Sequence, residues 1–156
     1  MAPQTLDVEV ELKSPAEKFW IAVRDSTKIF PKALSDQYKS IDVLEGDGKS
    51  VGSVRLINYA DGISAISSSK EKIEKVDEEK KAASYAVIGG DLLKYYNNFK
   101  AHFEVIPKAD NEGCVMKWSC EYEKTSEEIP IPHLIKDFAV KNFKDLDAYI
   151  LAGNEI

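Results

Sequence analysis

Soft metal ligands and reactive groups are scarce in this chain: its 156 residues include two cysteines, two histidines and two methionines. Cys114 and Cys120 fall six positions apart in what reads as one strand, which separates them by ~20 Å and excludes a disulfide between them. Both are expected as reduced thiols. His102 and His133 have neither metal-ligand spacing nor a pairing with the cysteines, so no metal centre is expected. There is no Gly-x-Ser-x-Gly elbow and no kinase or dinucleotide signature, and no cofactor is expected.

Positive charge is short as well. Lys and Arg number 21 against 27 Asp and Glu, a net charge of -6, which opposes contact with polyanions and makes nucleic acid and anionic membrane poor partners. No uninterrupted apolar run approaches the ~20 residues of a membrane helix. The opening Met-Ala-Pro-Gln-Thr-Leu lacks the basic and apolar stretches of a secretory signal, so the expected location is cytoplasmic.

What is present is a 44% apolar fraction, enough for one core in a single domain over residues 1–156. Leu6, Val8, Val10 and Leu12 alternate with Asp7, Glu9, Glu11 and Lys13, a half-buried strand. Ser14-Pro15-Ala16-Glu17 reads as a capping box opening a helix with the stripe Ala16, Phe19, Trp20 and Val23. Pro31 interrupts any continuation and leaves room for a short second helix over 26–34.

From Tyr38 onward, apolar segments separated by turn residues read as a meander of hairpins. Strands are expected before Gly46-Asp47-Gly48, up to Tyr59, over 63–76, over 81–88 and over 92–106. The charged run between Lys70 and Lys81 reads as a solvated hairpin. In the 92–106 segment the odd positions Tyr95, Asn97, Phe99, Ala101, Phe103 and Val105 are expected inward and His102 outward. The next strand should bury Cys114, Met116, Trp118, Cys120 and Tyr122. A last helix, from Pro132 to about Leu151, carries Ile135, Phe138, Ala139, Asn142, Leu146, Tyr149 and Ile150 on one stripe, with Lys136, Lys141, Lys144 and Asp147 elsewhere. Strand, two helices, six strands and a helix make an α+β domain with helices on one face of an antiparallel sheet.

Five stretches resemble the major latex protein branch of the pathogenesis-related class 10 and birch-pollen-allergen superfamily. They are Gly46-Asp47-Gly48-Lys49-Ser50-Val51-Gly52-Ser53, Lys70-Glu71-Lys72-Ile73-Glu74-Lys75-Val76-Asp77-Glu78-Glu79, Val87-Ile88-Gly89-Gly90-Asp91-Leu92-Leu93, Val105-Ile106-Pro107-Lys108 and Lys117-Trp118-Ser119-Cys120-Glu121-Tyr122-Glu123-Lys124. The resemblance implies a helix-grip fold: a seven-stranded curved antiparallel sheet wrapped around the C-terminal helix, with two short helices at the far end and a hydrophobic cavity between sheet and helix. It also implies a carrier of small hydrophobic plant metabolites (sterols, fatty acids, phenolics or terpenoids), with defence roles, while a minority of such proteins are enzymes of specialised metabolism. Fold alone decides neither.

Gly48-Lys49-Ser50 looks like the tail of a phosphate-binding loop, yet Val43 stands where the first glycine belongs and a strand follows instead of a helix. A tight turn needing positive φ explains it better. The expected ligand contacts are Ile57, Tyr59, Tyr85, Phe99, Phe103, Trp118, Ile135 and Phe138, with Asn142 and Arg55 as polar candidates. Small inward residues among these aromatics leave volume for a ligand. Asn142 is an amide on an apolar stripe and needs a partner, whether a tyrosine, a water or a ligand oxygen. Arg55 shares parity with Ile57 and Tyr59, though a snorkelling surface position suits its type. The readings that compete with a carrier are a cofactor-free cyclase or isomerase using the same cavity, and a receptor whose occupied form binds a protein partner.

Overall fold

Alternation gives the first strand, β1 (Gln4–Leu12), a dry and a wet face: Val10 and Leu12 are buried, whereas Asp7, Glu9 and Glu11 are exposed. The computed structural model describes residues 3–60, 66–109 and 112–154. After β1 come α1 (Ala16–Arg24), α2 (Ser26–Ala33), β2 (Tyr38–Glu45), β3 (Val54–Tyr59), β4 (Ser68–Asp77), β5 (Ala82–Gly90), β6 (Tyr96–Pro107), β7 (Cys114–Lys124) and α3 (His133–Leu151). The seven strands form one curved antiparallel sheet in the order β1-β7-β6-β5-β4-β3-β2. This is the α+β helix-grip architecture that the resemblance implied.

The helices close the concave side. Along α1 the 3.6-residue period places Ala16, Phe19, Trp20 and Val23 on the buried face, and α1 reaches both β6 and α3. Burial of Phe19 and Trp20 stabilises this corner by about 1.5–3 kcal/mol each. Helix α2 packs on β2 and α3, and α3 lies against β1. The break between the two short helices falls at Asp25, and Pro31 sits inside α2, so the proline does not set the boundary.

Three expectations are corrected. Ser14 does not cap α1, whose N-cap is Pro15 with no side-chain hydrogen bond. Instead the Ser14 N–H and Oγ donate to Asp147 Oδ1 at 2.9 and 2.5 Å, and the Lys13 N–H donates to Oδ2 at 3.1 Å. Asp147 therefore points into the protein, where it ties α3 to the end of β1, and is not on the solvated side of its helix.

The inward parity of β6 also fails at its start. Tyr96 is buried while Tyr95 and Asn97 are exposed, because β6 begins only after a 3-10 turn over Asp91–Lys94 and then carries a bulge between Asn97 and Lys100. Asn98, at φ 52, absorbs the extra residue in the left-handed region. Beyond it Phe99, Ala101 and Val105 are buried as their parity requires. His102 is half-buried on the convex side, bonded to Ser84 Oγ and Glu121 Oε2 across three strands.

The glycine-rich turn behaves as a turn. Gly46, Gly48 and Gly52 have φ of 79°, 86° and 92°, and the carboxylate of Asp47 accepts from the Lys49 and Ser50 N–H groups at 2.9 and 2.7 Å. A β-carbon on Gly48 would lie 2.8 Å from Val43 Cγ2. No helix follows to meet a phosphate.

Candidate functional site

A curved sheet gripping one helix leaves a gap that side chains fill incompletely. Between the concave strands, α1, α2 and α3 lies a cavity with about 140 Å³ of open volume. All ten residues expected to contact a ligand line it. Strand β3 contributes Arg55, Ile57 and Tyr59, and β5 contributes Tyr85. The aromatic floor is Phe99 and Phe103 from β6 with Trp118 from β7, and the helical roof is Ile135, Phe138 and Asn142 from α3.

Rings dominate one end. Phe138 packs on Tyr38 and on Tyr59 with centroids 5.6 Å apart in both cases, and Tyr38 and Tyr59 stand 5.8 Å apart, distances at which aromatic pairs attract beyond their area burial. Trp20 and Phe103 meet at 6.1 Å, and the Trp20 indole N–H donates to Glu78 Oε2 at 2.6 Å. Both tryptophans of the chain line the cavity.

The polar groups gather beside those rings. Arg55 is only 8% exposed, and its position in the cavity wall corrects the surface alternative. Its guanidinium donates from Nη1 to Ser26 Oγ at 2.6 Å and from Nη2 to Glu71 Oε1 at 2.9 Å. Glu71 is 6% exposed, so the charged run around it is not wholly a solvated hairpin. Its register explains this: Glu71 stands opposite Arg55 in the β3–β4 ladder, on the same face as Ser69 and Ile73, while Lys72 and Glu74 face outward. Burial is the main reason that Glu71 holds its proton above the usual carboxylate range, and Arg55 offsets part of that shift.

Asn142, 4% exposed, donates from Nδ2 to the Tyr38 hydroxyl at 2.5 Å. Its Oδ1 and Arg55 Nε are buried without a hydrogen-bond partner. The Tyr59 hydroxyl bonds Ser69 Oγ at 2.9 Å. Tyr85 lies deep in the protein and retains accessible surface, which faces the cavity. Burial drives Tyr38, Tyr59 and Tyr85 well above the ordinary tyrosine range, so all three are neutral hydroxyls.

Sequence reasoning missed Glu71, Tyr38, Trp20, Ser26 and Ser69 as wall residues. Glu71 was hidden by its lysine neighbours, although its two-residue spacing from Ile73 was a usable signal. Among the described residues no group of three or more His, Cys, Asp or Glu is placed to hold a metal ion, and no helix is long and apolar enough to cross a membrane.

The family model of the pathogenesis-related protein Bet v 1 family matches residues 1–153. The chain belongs to that family. It is 56% identical over 146 residues to MLP-like protein 423 of Arabidopsis thaliana, covering 94% of this chain and 93% of that one. Similarity to Ribonuclease 1 of Panax ginseng is 32% identity, over 96% of this chain and 99% of the relative. Among solved structures, the ginseng major latex-like protein 151 superposes with a TM-score of 0.86 at 27% identity, over 96% and 98% of the two chains. Norcoclaurine synthase from Thalictrum flavum superposes at 0.77 and 21% identity, covering 96% and 87%, which establishes likeness of fold only. The major-latex-type branch of the family is therefore the one to which this chain is allied, and the cavity between sheet and α3 is the hydrophobic site of that fold.

Proposed function

We propose that this Bet v 1 family protein is a cytoplasmic carrier or defence-related protein that holds a small hydrophobic plant metabolite, such as a phenolic or terpenoid, in the cavity. The observation that supports this most directly is an open volume walled by aromatic rings next to buried polar atoms that lack partners. A folded protein seldom tolerates such groups unless something satisfies them. The ligand's apolar body would pack on Phe99, Phe103, Trp118, Ile135 and Phe138, with Tyr59, Tyr85, Asn142 and Arg55 orienting its polar end and Ile57 closing the side.

Magnitudes fit this reading. An apolar cavity of roughly 150 Å³ in another protein stays dry and binds benzene, so 140 Å³ suits a compact ring system, and a sterol or a long fatty acid needs the walls to part. Removing ~300 Å² of ligand surface from water contributes roughly 7 kcal/mol before the entropy cost of association, which is compatible with micromolar affinity. With Trp20 and Trp118 both in the wall, saturable quenching of tryptophan emission by a panel of phenolics, terpenoids, sterols and fatty acids tests the proposal. No response from any of them would refute it.

The name of the ginseng relative raises a nuclease, but the wall offers nothing to a polyanion. Its cations, Arg24, Lys49 and Arg55, are each paired with Asp25, Glu78 or Glu71. A second reading, a cofactor-free cyclase or isomerase, is favoured by one observation: Glu71, a carboxyl whose proton affinity is raised by burial, shares the cavity with three tyrosine hydroxyls, a set able to move a proton or polarise an oxygen. Comparing rate and product ratio from a reactive precursor with and without protein tests it, and unchanged values would remove it.

A further inference from the structure

The convex side of the sheet carries a hydrogen-bonded chain of three side chains that the binding reading does not use. Ser84, His102 and Glu121 belong to β5, β6 and β7: Ser84 Oγ lies 2.7 Å from His102 Nδ1, and His102 Nε2 lies 2.5 Å from Glu121 Oε2. We propose that this set makes Ser84 a nucleophile towards small aryl esters, with His102 as general base, Glu121 orienting the imidazole and Lys75 facing the oxyanion.

The roles follow from which atoms can donate. The Glu121 carboxylate only accepts, so the neutral imidazole carries its proton on Nε2 and keeps a lone pair on Nδ1. Ser84 then donates its hydroxyl proton to Nδ1, the relation that prepares a serine for attack. Register completes the row: Ser84 stands opposite His102 in the β5–β6 ladder and opposite Lys75 in the β4–β5 ladder. Lys75 is exposed and has no ion pair among the described residues. Directly opposed side chains start ~5 Å apart, so its ammonium reaches an oxygen that gains charge beside Ser84 Oγ.

Access comes from the neighbours. His102 and Glu121 have 36% and 51% of their side chains exposed. Ser84 is 9% exposed, and its same-face neighbours along β5, Ala82 and Ala86, have nothing beyond Cβ to cover it. The β5–β6 ladder ends at Ala86 and Lys100, where a groove opens whose walls include Ala86, Ile88, Leu93 and Lys100. Ala86 is two residues, ~7 Å, from Ser84, so a ring seated over Ala86 against Ile88 carries an ester carbonyl to Ser84 Oγ.

In the reaction Ser84 Oγ bonds to the carbonyl carbon as its proton passes to His102 Nδ1. The bond from that carbon to the aryl oxygen then breaks, and the leaving group departs as the phenol with the proton. The acyl group stays on Ser84 until water attacks it, with the same nitrogen taking the proton and returning it to Ser84 Oγ as the carboxylic acid leaves.

Two probes test this on the full chain. An alkyl fluorophosphonate, which loses fluoride to a nucleophilic serine and is not released by water, should label Ser84 in the wild-type protein and fail to label His102→Gln, as read by peptide mass spectrometry. With 4-nitrophenyl acetate, nitrophenol release should be at least about ten-fold faster than in Ser84→Ala or His102→Gln. Glu121→Gln should lower kcat with KM unchanged, and Ile88→Ser should raise KM. Labelling at any residue other than Ser84, no labelling, or release at the same rate in wild type and Ser84→Ala overturns the proposal. An unchanged kcat in Glu121→Gln overturns the part given to Glu121, and an unchanged KM in Ile88→Ser the part given to the groove. Because the wild-type labelling site decides the main point, no variant's failure to fold leaves it open.

Discussion

Arg55 and Glu71 face each other across β3 and β4 and meet at 2.9 Å inside the protein, both side chains at least nine-tenths buried. Neither charge has water to fall back on, so the loss of one partner weighs more than the loss of both. Arg55→Met should destabilise the protein by about 3–5 kcal/mol at pH 8, and adding Glu71→Leu should recover most of it. Urea unfolding of the single and double variants checks this.

The same variant has a signed pH dependence. Glu71 already holds its proton above the usual value of 4.5 because of burial, and without Arg55 it must hold it more firmly still. Above 4.5 the unfolded chain releases that proton while the folded variant retains it, so stability falls as pH rises through this window. The deficit of Arg55→Met relative to wild type should accordingly be smallest near pH 4.5 and grow towards pH 8. A deficit that shrinks with rising pH would contradict the assignment.

Asn142 and Tyr38 form a second buried pair. Tyr38→Phe removes the partner of an amide that already lacks one contact and should cost about 1–3 kcal/mol. Combining it with Asn142→Leu should cost less than the sum of the two single changes, since no polar group is then stranded. A thermodynamic cycle on the four proteins measures the coupling.

Asp147 is the tie between α3 and the end of β1. It accepts two backbone N–H groups and one hydroxyl in a buried position, so Asp147→Ala leaves three donors unmet and should cost about 3 kcal/mol. Because α3 forms the cavity roof, that variant should also lose probe affinity. Calorimetric unfolding and a parallel quenching titration read the two effects.

Cys114 and Cys120 are free, fully buried and turned inward on β7. Burial raises their thiols to about 11 and about 12, so neither is ionised at pH 8 and neither is reachable. A thiol reagent at that pH should modify no cysteine in the native protein and two after denaturation.

Much of the architecture was legible because strand and helix periods are short-range properties. The alternation of β1 and β7 and the stripe of α3 follow directly from side-chain geometry, so the wall residues Phe99, Phe103 and Trp118 follow from strand parity and Phe138 from the helical stripe. What was not legible depends on events that parity cannot register. The bulge at Asn98 reversed the facing of Tyr95 and Tyr96, and Ser14 found Asp147 more than a hundred residues away instead of the helix beside it. Glu71 looked solvated among lysines until pairing set it opposite Arg55. The volume of the cavity belongs to the same class, because it depends on how far α3 stands from the sheet, and no local pattern encodes that distance.

The central claim is that the space between sheet and α3 admits a small apolar molecule. A crystal of the protein saturated with 2-bromonaphthalene tests it most directly, since the bromine can be located by its anomalous scattering. The account predicts a bromine peak among Phe99, Phe103, Trp118 and Phe138. Bromine found only on the outer surface, with those four side chains closed against one another, would contradict it.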